Sequence, residues 1–383
     1  MKIIFNREKA ASAVSPLMAS AVNRSTIPAV EGILIEAKAP STVVFTTYDL
    51  EKGMRTSVEA EVKEEGYFVV NAQKFIQTLR VMESDTITFE VDSKLCATIR
   101  SGISVFKMNA LDGEDFPEIP ALKSQMGFYI GQSVLKKMFS KTMYAMGTVD
   151  QRQVLNGCYV HVEDNEIMIV ACDSFKLAKC TRRMTIRRGN EEDSYIRYAF
   201  ILPVKTVSEL YKILSDDEEA MTRIYLMRKH IVFEVGNIIF FSRLIEGEYI
   251  DYDRIIMTSH KIKVEADREE LVSALERASL ITEEKIAGSV RSHVKLNIED
   301  GIIKISAVST NGSSYDEVKC NQDGDPILIA FNNRYLINSI NACDTEKIKI
   351  SLSSPLTSIN IEPVGGDENS EEIYMLLPVR MKE

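Results

Sequence analysis

Residues 294–301 read Val294-Lys295-Leu296-Asn297-Ile298-Glu299-Asp300-Gly301, with apolar and polar side chains alternating strictly up to a turn pair. Period two marks a strand with one buried face, and Asp-Gly is a hairpin signal. The pattern also stands 136 residues upstream, in Cys158-Tyr159-Val160-His161-Val162-Glu163-Asp164-Asn165, and a third version is Gly32-Ile33-Leu34-Ile35-Glu36. What flanks these strands recurs with them. A short strand and an amphipathic helix precede each: Ile3 and Phe5, then Ala10, Val14, Leu17, Met18 and Ala21; Phe128 and Ile130, then Val134, Leu135, Met138 and Phe139; Ile262 and Val264, then Leu271, Val272, Leu275 and Ala278. Returning strands reach Tyr48-Asp49, Cys172-Asp173 and Thr310-Asn311. Second helices follow, with stripes Phe75, Ile76, Leu79; Val204, Val207, Leu210, Tyr211, Leu214; and Leu336, Ile337, Ile340. The first two copies close alike, on Leu111-Asp112-Gly113 and Ile245-Glu246-Gly247, 134 residues apart.

The expected fold is α+β: three repeated domains, 1–123, 127–256 and 260–383, each with two helices on one face of a largely antiparallel sheet. Linkers fall near 117–127 and 258–261. A chain of 383 residues suits several domains, and 45% hydrophobic with 27% charged residues can bury real cores. Only three apolar residues precede the first charges after Lys2, which is no signal-peptide core and no span, so the chain is expected to be cytoplasmic with no membrane partner. The six cysteines lie singly, without a C-x-x-C pair, and read as small buried hydrophobes.

No phosphate loop, dinucleotide fingerprint or nucleophile elbow occurs. His161, His230, His260 and His293 lack ligand spacing, so neither a metal nor a cofactor is expected. Acidic pairs such as Asp216-Asp217 and Glu218-Glu219 read as a solvated loop. Equal repeats without a catalytic insertion suggest a scaffold or a ring more than an enzyme.

A net charge of −10 speaks at first against a nucleic-acid partner. Its distribution changes that. Stretch 134–146 carries +3 from Lys136, Lys137 and Lys141; 7–24 carries +2; 72–84 and 203–215 carry +1 each, the latter with Lys205 and Lys212 on one face. In the third repeat, 267–281 carries −2 and 332–344 is neutral, so the six helical stretches total +5 and the remainder −15. Layers pack about 10 Å apart and the Debye length near physiological salt is about 8 Å, so acid beyond a sheet is largely screened from the helices. A mildly basic helical face can therefore meet phosphate loosely and without regard to sequence.

Arg24-Ser25-Thr26-Ile27-Pro28, Thr47-Tyr48-Asp49-Leu50, Leu155-Asn156-Gly157, Cys172-Asp173-Ser174-Phe175-Lys176-Leu177-Ala178 and Tyr374-Met375-Leu376-Leu377-Pro378-Val379-Arg380 resemble, in order along the whole chain, the bacterial DNA polymerase III beta subunit family, the sliding clamps. The resemblance implies a non-catalytic processivity factor: a head-to-tail homodimer closing six domains into a ring, helices lining a hole for duplex DNA. Phe106 and Met108 would pack on Leu280 and Ile281 of the second copy, with Lys74 near acidic residues there. Arg24 matches a DNA-contact position. Gln73, Val149, Gln153 and Val154 stand at others where the family has a basic residue, a glutamine and tyrosines.

A partner groove between the second and third domains, taking a short linear motif from polymerase, clamp loader and repair proteins, would be walled by Arg152, Leu155, Cys172, Ser174, Phe175, Lys176, Leu177, Ile250, Arg254, Ile255, Leu356, Ser358, Met375, Leu377, Pro378, Val379 and Arg380, with Asn332 and Tyr335 nearby. An apolar run holding Pro378 also suits a groove better than a central strand. Ile250, where the family often has proline, and the extension Met381-Lys382-Glu383 depart from the pattern. Two other readings remain at this point: a repeat-built interaction scaffold that never encircles DNA, and a hydrolase or transferase using scattered carboxylates.

Overall fold

The computed structural model describes residues 1–22, 25–120, 122, 127–189, 195–282, 293–309 and 312–381. Its helices are α1 (Arg7–Val14), α2 (Ala72–Val81), α3 (Gln132–Thr142), α4 (Val204–Ile213), the single turn α5 (Tyr252–Ile255), α6 (Arg268–Thr282) and α7 (Asn333–Asn341). Asparagines start three of them. The side chains of Asn6, Asn71 and Asn332 accept the backbone N–H of Lys9, Lys74 and Tyr335, each three residues on, satisfying donors that a helix start leaves orphaned. The first helix stops short of the expected 7–24 span: beyond Val14 the chain tightens into a 3₁₀ segment, Ser15–Ser20, where Pro16 cannot donate to the α-helical ladder. The expected strand end at Thr310-Asn311 lies outside the described residues; the strand itself runs Ile302–Val308.

Two compact units divide the chain. One comprises Met1–Lys136, Arg187–Ser194 and Ser208–Leu244; the other comprises Lys137–Ile186, Tyr195–Val207 and Ile245–Glu383. Among the described residues each unit holds one antiparallel sheet, of fourteen strands in the first and twelve in the second. In the first unit α1 packs on α2 over a core with Phe75 at its centre, its ring 5.9 Å from Phe45 and 5.5 Å, edge-on, from Phe89. In the second, α6 packs on α7, burying Leu271, Leu275, Ala278, Leu336 and Ile340. The six described cysteines are free thiols, four of them buried.

The sheets are long because repeats join edge to edge. In the first unit the strand Lys52–Glu59 pairs with Ile238–Arg243, from Ser242↔Lys52 to Ile238↔Thr56. In the second unit Lys176–Arg183 pairs with Ser370–Leu376 in the same sense, from Lys176↔Leu376 to Arg182↔Ser370. Lys52 and Lys176 occupy the same place, each four residues after the strand ends Tyr48 and Cys172. The counterpart in the third repeat is Ser313–Asp323, where Val308 pairs with Ser313 as Tyr48 pairs with Gly53 and Cys172 with Leu177. Its residues 313–319 pair on one side only, with Ile302–Val308, and residues 320–323 pair with Ile262–Asp267. At the other end of the chain, Ser104–Asp112 pairs over 104–109 with Cys96–Ser101 alone, and only 110–112 meet Gly66–Asn71. Each unit therefore carries one half-open strand of the kind that closes a joint elsewhere.

Candidate DNA and partner interfaces

Four of the lysines singled out on α3 and α4, Lys136, Lys137, Lys141 and Lys212, are held by acids. Lys136 Nζ lies 2.6 Å from Asp216 Oδ2, with the Tyr211 ring 5.7 Å away. Lys137 Nζ lies 2.5 Å from Asp344 Oδ2, and Lys212 Nζ donates at 3.0 Å to both carboxylate oxygens of Glu209. Lys205 and Gln73 are exposed, as are Gln153 and Val149, the latter at 94%; Val154 is half-buried. Arg24 lies outside the described residues.

Lys141 overturns the reading of a free +3 face. Its side chain is 7% exposed and its ammonium meets Glu372, itself 5% exposed, and Asp344 Oδ1 at 3.0 Å. The Tyr374 hydroxyl sits 2.8 Å from the second Glu372 oxygen. Burial works against the Lys141 charge, but hydrogen bonds to Glu372 and Asp344 outweigh it and hold the ammonium's pKa above its ordinary value. Burial likewise opposes the Asp344 charge, and hydrogen bonds from Lys137 and Lys141 hold that carboxyl below its usual range. Lys141 is thus a buried structural charge. Nothing local in the sequence could reveal this, since Glu372 is 231 residues away.

The proposed groove residues gather in the second unit. Leu155, Cys172, Leu177 and Met375 form one buried cluster with Met168, Val170 and Ile256, and Ile250 and Tyr249 pack against it. Above this floor Phe175 is 43% and Leu377 40% exposed, tied by the Leu377 N–H donating to the Phe175 carbonyl at 2.9 Å. The Phe175 and Tyr335 rings are 6.2 Å apart, and the Lys176 ammonium, paired with Asp173, lies 4.5 Å from the Tyr335 centroid. Arg152 pairs with Asp150 and donates to Ser174 Oγ at 3.2 Å. The Val379 N–H donates to the Ala330 carbonyl, laying the Pro378 tail beside the strand that ends at Asn332. Ser358 is buried next to Ile359, which pairs with Leu376; Leu356, Ile255 and Arg254 are exposed, as is Arg380. Sequence reasoning missed Tyr249, Met168 and the two aspartates that orient Arg152 and Lys176. Burial of the Cys172 thiol pushes its pKa up to about 12, so it is a floor group and not a nucleophile.

The equivalent place in the first unit is filled. Tyr48 stands where the second joint has Cys172, and Phe241 where it has Met375, their rings 5.4 Å apart. Gly53, the counterpart of Leu177, makes room: a Cβ there would lie 2.2 Å from the Phe241 ring.

The half-open strands carry exposed apolar groups. Phe106 is 45% exposed, whereas Phe240 and Tyr374, at the same position in the two closed joints, are 0% exposed. Phe240 faces Met54 and Tyr374 faces Ala178, each six residues after Tyr48 and Cys172, and Phe106 pairs with Ile99 as Phe240 pairs with Phe233, both 134 residues apart like Gly113 and Gly247. Phe106 and the half-buried Met108 line a concavity with Lys74, Val81 and Lys107. On the other unit Leu280 is 78% exposed, and Ile281 lies beside Gly312 at the start of the other half-open strand. A second concavity there is lined by Glu269, Glu270, Arg277 and Glu317.

Sequence models of the N-terminal, central and C-terminal domains of the DNA polymerase III beta subunit match residues 1–120, 129–251 and 253–380. The chain belongs to that family. A beta sliding clamp from Halalkalibacterium halodurans is 28% identical, covering 99% of this chain and 100% of its own length. One from Staphylococcus aureus is 28% identical over 93% of each. The DNA polymerase sliding clamp of Bacillus subtilis superposes with a TM-score of 0.91 at 26% identity, and that of Pseudomonas aeruginosa, solved with a ligand, with 0.88 at 26%; each pair covers 100% of both chains. Three clamp domains with antiparallel sheets and a non-catalytic sliding-clamp function are what this membership supports. Among the described residues no helix is long and apolar enough to cross a membrane.

Proposed function

We propose that two copies of this chain, with domains 1–123, 127–256 and 260–383, close head to tail into a cytoplasmic ring that encircles duplex DNA and tethers the replicative polymerase. The observation that carries the ring is the pair of half-open strands, 104–109 and 313–319, whose counterparts are already joined within the chain. Repeating that register pairs Phe106 with Ser314 and Lys107 with Ser313 of the second copy. Two different surfaces that mate head to tail make a ring when the rotation closes, and closure removes the exposed sheet edges. Charge fits as well: Lys74 and Lys107 on one surface, and on the other Glu269, Glu270 and Glu317 around Arg277, itself paired with Asp316.

Function is then topological. Enclosure keeps the polymerase at high local concentration on its template without gripping bases. The exposed Lys137, Lys205 and Lys212, with Arg24, supply loose phosphate contacts, and Gln73, Val149, Gln153 and Val154 leave these contacts weaker than a basic or aromatic set would. The experiment is retention. Once loaded on a nicked circular duplex, the dimer stays until the circle is linearised and then runs off; equal loss from circular and linear DNA contradicts the ring. A monomer indifferent to DNA is what the scaffold reading expects.

The cluster around Leu155, Leu177 and Met375 serves as the groove for a linear motif with apolar anchors, used by polymerase, loader and repair proteins. Leu177→Ala combined with removal of residues 377–383 is expected to abolish binding of a polymerase-derived peptide in a fluorescence titration while leaving the dimer intact. Unchanged affinity would place the groove elsewhere.

A further inference from the structure

Lys136 and Lys212, the lysines on α3 and α4 that end on Asp216 and Glu209, differ from Lys141 in how firmly they are held. The Asp216 side chain is 85% exposed and that of Lys212 64%. Lys136 and Glu209 are more covered, at 19% and 16%, but with one partner of each pair open to water these pairs break far more readily than the buried Lys141 cluster. A phosphate oxygen offers the same lysine an equal hydrogen bond.

Resting on the reading that these helices face duplex DNA, we propose that Asp216 and Glu209 are intramolecular stand-ins for phosphate: they hold Lys136 and Lys212 between contacts and compete with the backbone for them, which keeps the grip weak enough to slide. Each lysine passes from carboxylate to phosphate and back as the duplex moves, so no contact leaves an unpaired ammonium behind. The freed carboxylate takes up a cation when DNA binds, offsetting the counterion that the phosphate releases, so salt dependence is shallower than the lysine count implies. Asp344, which holds Lys137, also accepts from the buried Lys141 and is left untouched in the test.

The test is binding of the dimer to a short linear duplex across a salt series. Asp216→Asn and Glu209→Gln are each expected to tighten binding about two- to fivefold at low salt, and to steepen the log–log salt slope by up to about 0.9 per released lysine. Asp217→Asn removes the same charge one residue away, where the carboxylate accepts the Glu219 N–H and, among the described residues, holds no lysine in a salt bridge. It reports the long-range charge effect alone. The proposal requires that Asp216→Asn exceed Asp217→Asn and that Lys136→Ala erase the difference. Equal effects of the two asparagine variants, or a gain that survives Lys136→Ala, overturn it. If the wild-type dimer is not retained on circular duplex, the ring reading fails instead.

Discussion

Phe106→Asp leaves a folded chain that sediments as a monomer at concentrations where the parent is a dimer. Phe106 is 45% exposed in the single chain, so the substitution removes little of its own core. In the proposed ring it would take the position that Phe240 and Tyr374 fill, fully buried, in the closed joints. Burying a whole phenylalanine side chain is worth roughly 1.5–3 kcal/mol; the exposed part of Phe106 accounts for about half of that, so the two identical joints of the proposed ring together lose about 1.5–3 kcal/mol per dimer. At 1.4 kcal/mol per decade, that alone weakens dimerisation by about one to two orders of magnitude. In the proposed ring the new carboxylate would also meet a surface where Glu269, Glu270 and Glu317 outnumber Arg277. Sedimentation velocity checks the outcome, and circular dichroism confirms the fold. A variant that stays dimeric places the joint on another surface.

Lys141→Ala is expected to cost about 3–5 kcal/mol of stability, because it leaves Glu372 buried without a counter-charge. Replacing both partners, as in Lys141→Met with Glu372→Leu, should recover most of it, since an apolar pair of similar volume removes both desolvation costs together. Denaturant unfolding of the two variants checks this, and a single substitution costing under about 1 kcal/mol would show the pair to be hydrated. The same cluster sets an acid limit. The Asp344 pKa is lowered on folding, so its contribution is present above the ordinary carboxylate value and is lost as pH falls through the folded one.

Period-two alternation and apolar stripes made most elements legible, and recurrence of order and turns made the three repeats legible. Which strands join was not. Alternation in Lys176–Arg183 marks a half-buried strand but says nothing of Ser370–Leu376, almost two hundred residues on. The lysine-rich α3 read as a basic face because its acids, Asp216, Asp344 and Glu372, arrive from distant loops and a strand. The groove wall came from family resemblance; residues alone offered only the Pro378 tail. One expected edge of structure, the 7–24 helix, moved because Pro16 breaks the α-helical ladder.

The most direct measurement is a covalent closure of the joint. Cysteines replacing Lys107 and Ser313 face each other across the two copies in the register inferred here, and a short bifunctional reagent should link them in the dimer. Linked after loading on closed circular duplex, the protein is expected to remain on the DNA through denaturation with detergent, and to be lost when the circle is cut. A cross-link that does not form, or a linked dimer that leaves the closed circle in detergent, would contradict a ring around DNA.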